Sequence, residues 1–177
     1  ALLIAAAGLG ATMSDGSTLF HTANHGNYTT GATGALSVDG LSLMREKMRL
    51  QTGLDGKTRL NLALKHLLVP TVLETKAQQL TTRTNAAKDS DVNPFVSQFD
   101  SVVVEPRLDA VSAKAFIGVA DKAQIDTLEY AYLEGNDGVR VETREGFETL
   151  GVDIRAVHDF GAGLVDHRGF QRNKGEA

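Results

Sequence analysis

The sequence predicts an α+β domain, and three observations carry that prediction. Apolar residues recur at helical spacing over residues 38–51 and again over 71–82. Short β-branched and aromatic runs dominate after Phe95. The resulting order is two helices with interleaved strands, then a β-rich second half.

Residues 1–13 (ALLIAAAGLGATM) are apolar and uncharged and begin with Ala. The run is too short to cross a bilayer and lacks the basic start of a signal peptide. It reads as the end of a helix that begins upstream. Residues 14–36 hold four glycines among Ser, Thr and Asn and read as turns and extended loop. Ser37 is placed to cap a helix over 38–51, with Leu41, Met44 and Met48 on one stripe and Gly53 as a left-handed C-terminal residue. His66 to Val69 reads as a buried strand, with His66 half-buried and satisfied. Pro70 suits the first position of a second helix whose inner face carries Leu73, Ala77 and Leu80. Residues 83–94 form a polar surface loop. Strands follow at 101–105 (stopped by Pro106), 115–119 and 128–133, and those between 101 and 133 are expected in a core sheet. In LEYAYL (128–133) the alternation gives one hydrophobic-aromatic face. Val139 and Val141, then Val152, Ile154 and Ala156, alternate with charged residues, and no internal repeat is visible.

With 42% apolar and 23% charged residues, the 177-residue chain suits one globular domain, or one domain and part of a second. It holds no cysteine, which excludes disulfides and thiolate metal sites. Its net charge of −4 argues against a dedicated nucleic-acid binder. That charge is uneven: Asp121 to Asp153 contains nine acids and three bases, a local −6. Such a stretch is either an ordinary solvated face or a surface that meets a basic patch on a neighbouring subunit.

Several motifs look like chemistry and fail on spacing. Gly53-Leu54-Asp55-Gly56-Lys57-Thr58 ends like a phosphate-binding loop, but has two residues where four must separate the first glycine from the GK pair. It also follows a helix, so it reads as a turn. His158-Asp159-Phe160-Gly161 contains the DFG of kinases without their glycine-rich loop, strand lysine or catalytic loop. His21 and His25 have helical metal-ligand spacing, yet the Asn and Gly around them favour a turn held by side-chain to backbone bonds. Ser14 to Ser17 shows no nucleophile-elbow pattern. An acid pair drawn from Glu105, Asp109 or Glu134 is the hydrolase alternative, and it requires a deep pocket and raised carboxyl pKa values. No catalytic, cofactor-binding or metal-binding residue is assigned, and no enzyme activity is expected.

Five stretches in order carry a family resemblance. MSDGSTLFHTANHGN (13–27) resembles the segment after the long helix in Mu-like major head subunits and in capsid proteins fused to a prohead protease. Residues 35–80 are similar to that family's two helices separated by an LLVP strand. DVNPFVSQFDSVVVEPRLDA (91–110), DTLEYAYLEGNDGVRVETREGF (126–147) and VHDFGAGLVDHRGFQRN (157–173) continue the family's order. The likeness covers about residues 12 to 174, with Ala115-Phe116-Ile117 where the family often has an aromatic pair.

The resemblance implies the Hong Kong 97-type phage capsid fold. Residues 1–34 would be a peripheral-domain remnant and loop, 35–155 an axial-type domain, and 156–177 return strands of the peripheral domain. The N-terminal arm, extended loop and most of the spine helix would lie upstream of Ala1. The implied role is a structural subunit of a phage or prophage head shell, assembled in the bacterial host cytoplasm and resident in the virion. Its partners would be itself, in pentamers and hexamers, with scaffold, portal or decoration proteins, and packaged DNA held without sequence specificity. Neither a cofactor nor a membrane is implied. Inter-subunit contacts are expected in two polar loops: Asp89, Asp91 and Asn93 in 83–94, and Glu134, Asn136 and Asp137 in 134–138. No motif maps the Lys–Asn cross-linking of some relatives onto Lys57, Lys65 or Asn93. A different virion or tail component is the alternative.

Overall fold

The computed structural model describes residues 1–82, 94–135, 137–146 and 150–175. The apolar N-terminal run makes one turn, α1 (Ala5–Gly8), in place of the expected helix end. Ala6 and Ala7 lie in the left-handed region at φ 48° and 54°, which a right-handed helix cannot continue. Leu3, Ile4 and Leu9 pack instead as part of a layer over the main sheet. Loop chain then leads to the short strand β1 (Tyr28–Thr29).

The capped helix forms as its sequence predicts. Ser37 is extended, its Oγ accepts the Gly40 N–H at 3.0 Å, and α2 (Val38–Arg49) follows. Leu41, Met44 and Met48 are fully buried along one stripe. Replacing Ser37 with Ala is expected to cost about 1 kcal/mol of unfolding free energy. A urea titration would read this as a lower midpoint at unchanged slope, and an unshifted midpoint would show the cap to be dispensable. Gly53 is not the left-handed residue after this helix. Leu50 ends it in right-handed geometry, and the left-handed glycine is Gly56, at φ 66° in the following turn.

Beyond that turn come β2 (Leu64–Val69) and α3 (Glu74–Thr81). Pro70 is extended and stands ahead of a 3-10 turn (Thr71–Leu73) that leads into α3, so it precedes the helix and does not open it. The later strands are β3 (Ser101–Val104), β4 (Phe116–Ala120), β5 (Leu128–Tyr132), β6 (Arg140–Glu145), β7 (Val152–Val157), β8 (Phe160–Leu164) and β9 (Phe170–Asn173).

Five of them form a mixed sheet in the order β1-β9-β4-β2-β3. β2 runs parallel to β3 and antiparallel to β4, with Leu67 opposite Val102 on one side and Gly118 on the other. β4 and β9 are antiparallel, Phe116 opposite Asn173, while β1 runs parallel to β9. Alternation sends Phe116, Ala120, Leu67 and Val69 into a core with α2, α3 and Phe95. Ile117 and Phe170 point the other way, to a second cluster with Leu19, Phe20 and Leu108. Both faces of the sheet are thus covered, which explains the unbroken apolar runs in β2 and β4.

The chain divides into two compact units: 1–127 with 164–177, which holds the five-stranded sheet, and 128–163. The second unit consists of two paired ribbons, β5 with β8 and β6 with β7. β5 was expected in the core sheet with the other strands before residue 133. It forms none of that sheet, and all five of its residues are exposed.

Candidate interaction surfaces

The second unit carries its apolar residues on open faces. Tyr130 and Tyr132 are two residues apart on β5 and so share a face. Phe160 of β8 lies 6.2 Å and 5.8 Å from their ring centroids, and His158 lies 5.6 Å from that of Tyr132. In the other ribbon the register sets Val141 opposite Ala156, Thr143 opposite Ile154 and Glu145 opposite Val152 on one face. The reverse face pairs Arg144 with Asp153 at 3.0 Å and holds Glu142 between Arg140 and Arg155. Arg155, then Arg140, pulls the Glu142 carboxyl below its ordinary value. Such exposed pairs are screened by solvent and contribute little to stability. They set which side of the ribbon is polar more than how stable it is.

Of the residues expected at inter-subunit contacts, Glu134 and Asp137 lie in this unit, in the exposed connection between β5 and β6. Asp89, Asp91, Asn93 and Asn136 lie outside the described residues.

The larger unit contains a cleft of about 450 Å³ whose lining includes Lys47, Leu50, Gln51, His25, His167 and Arg168. His25 is buried, with Nδ1 2.9 Å from the Leu19 carbonyl and Nε2 2.8 Å from Asp15 Oδ2. Both partners accept only, so the ring donates to both at once only when it carries both protons. The Ser17 N–H and His25 hold the Asp15 carboxyl down at about 2. His167 stacks on His25 with centroids 3.8 Å apart, and burial, then the His25 charge, lowers its pKa. Lys47 donates to Thr29 Oγ1 at 2.8 Å, and burial lowers its pKa as well. Sequence reasoning noticed His25 but not this cleft, because His167 stands far away along the chain.

Among the described residues, the motifs that resemble chemistry sit in turns and strands with ordinary bonding partners. The 53–58 segment is a turn in which Asp55 accepts from the Lys57 and Thr58 N–H groups, each at 3.0 Å. His21 sits in a turn closed by side chains, accepting the Asn24 N–H at 3.1 Å while its own N–H goes to Asn27 Oδ1. No group of three His, Cys, Asp or Glu suited to a metal occurs among the described residues. His66 is half-buried and bonded to Ser101 Oγ at 2.9 Å. The hydrolase alternative needed raised carboxyls. Instead Arg107 holds Glu105 at about 2, and Thr71 bonds lower Asp109. No helix among the described residues is long and apolar enough to cross a membrane.

Comparison with known families decides the class. A model of a phage capsid protein family matches residues 1–173. The chain belongs to the phage capsid proteins. This capsid chain accordingly has a structural role in the head shell and is a component of the virion. The mixed α+β architecture is compatible with a capsid fold. A family of this kind is structural and not normally enzymatic. No curated protein matches the capsid chain.

Proposed function

We infer that this chain is the shell-forming part of a major head subunit of the Hong Kong 97 type, related to Mu-like head subunits and protease-fused capsid proteins. Residues 35–155 would serve as its axial domain, with 1–34 and 156–177 belonging to the peripheral domain. Copies would associate as pentamers and hexamers in the host cytoplasm and enclose DNA without reading its sequence. Scaffold, portal or decoration proteins would be the further partners. The observation that carries this reading is the capsid-family match over residues 1–173, joined to the ordered resemblance of five stretches.

Electron microscopy of particles from cells that express the full-length subunit tests it. Closed shells are expected, and tubes or dispersed monomers would point to a tail or other virion part. In the same assay, charge reversal at Asp89 and Asp91 is expected to reduce capsomer formation. Normal capsomers from that variant would remove the 83–94 loop from the contacts.

A further inference from the structure

None of the described residues of the unit 128–163 is buried. Tyr130 and Phe160 are 64% and 56% exposed, and Ile154 of the second ribbon is 71% exposed. Tyr130, Tyr132 and Phe160 together leave on the order of 300 Å² of largely aromatic surface open, within the range of the largest patch on an ordinary monomer, which is often functional. Two-stranded ribbons are marginal by themselves in water. A partner that covered the aromatic face would therefore stabilise the ribbons as well as bind them.

Charge identifies the kind of partner. The unit holds eight acids and three bases, net −5, which leaves the other 141 residues at +1. Within those, residues 45–59 carry five bases against two acids. Arg49 and Lys57 are exposed there, and neither makes an ion pair among the described residues. Leu50 and Leu54 stand beside them, 46% and 93% exposed, and Leu50 and Lys47 also line the 450 Å³ cleft. One unit is net acidic and carries the aromatic rings, and the other stretch is net basic and carries exposed leucines. Both belong to one chain, so copies of it supply them in equal number, as a head-to-tail contact that closes into rings requires.

We propose that the aromatic face of 128–163 in one copy docks on the basic surface at 47–59 of a second copy, with Glu134 and Asp137 set against Arg49 and Lys57. The proposal rests on the head-shell reading, which makes another copy the abundant neighbour, and it names the contact that reading leaves open. Opposite charges would steer the encounter, and the rings and leucines would hold it.

Reciprocal charge exchange in the whole chain is the test, with association measured by sedimentation velocity across a concentration series. One variant carries Glu134→Lys and Asp137→Lys, the other Arg49→Glu and Lys57→Glu. Each alone is expected to associate at least about tenfold more weakly than the parent, and their equimolar mixture to regain most of the loss. A third variant, Tyr130→Ser with Phe160→Ser, is expected to weaken association similarly while amide exchange in α2 and β4 stays as in the parent. Parent-like association by either charge variant overturns the proposal, as does a mixture that fails to recover, or a parent that stays monomeric throughout. Micrographs of the same preparations separate the two levels of inference. Shells formed by variants that ignore the exchange leave the head-shell reading standing and remove this contact.

Discussion

Gly40→Ala is expected to unfold the larger unit at urea concentrations where the parent is still native. Gly40 lies in the first turn of α2, and a methyl group added there would sit 2.0 Å from the Ala35 carbonyl oxygen. That neighbour is backbone, so no rotamer change can relieve the overlap. The helix would gain roughly 0.5–1 kcal/mol from replacing glycine with alanine. Overpacking typically costs about 1–3 kcal/mol, and an approach of 2.0 Å to rigid backbone falls at the upper end of that range, so the clash wins. The shift that relieves it would also pull the Gly40 carbonyl from Asn173 Nδ2, now 3.3 Å away across the core. Helical circular dichroism followed through a urea titration reads the effect. A midpoint equal to the parent's would mean that the 35–40 turn is far more compliant than its packing indicates.

Phe116→Ala is expected to cost about 3–5 kcal/mol, a large part of the stability of a domain this size. Phe116 is fully buried in β4, a central strand, and packs in the cluster that contains Leu41, Met44 and Met48. Removing the ring leaves a void that the sheet cannot close, because β9 and β2 fix β4 from both sides. Phe160→Ala is the matched control. It removes the same ring from an exposed site in the smaller unit and should leave the stability of the larger unit within about 0.5 kcal/mol. Equal losses from the two substitutions would contradict the division into a packed unit and an open one.

The features legible in the sequence are those set by local physics. Ser37 and the Leu41, Met44 and Met48 stripe identify α2 because capping and helical periodicity act within one or two turns. β2 and β4 are legible as apolar runs because both their faces are covered. β5 misleads for the same reason. LEYAYL has the pattern of a buried strand, but the pattern cannot say whether the covering layer belongs to this chain. β9 errs in the opposite direction. Its Gln171, Arg172 and Asn173 look like surface residues, yet all are buried, Arg172 against the rings of Phe20 and Tyr28. Only long-range packing places them inside. Of the candidate site, Glu134 and Asp137 were legible as members of the polar loop 134–138, which lies inside the acidic stretch. The basic residues of REKMRLQTGLDGKTR (45–59) are equally plain in the sequence, but nothing local says whether they face solvent or a partner.

The position of β9 bears on how the chain is made. β9 lies between β1 and β4, so the sheet lacks an inner strand until residue 173 has been synthesised. Before then β4 has no partner on one edge, and Phe116 and Ile117 have no neighbour there. The larger unit therefore closes only after residues 128–163 have already left the ribosome. A nascent chain that has not yet delivered β9 carries an open sheet edge, and the order of synthesis sets the order in which this unit can fold.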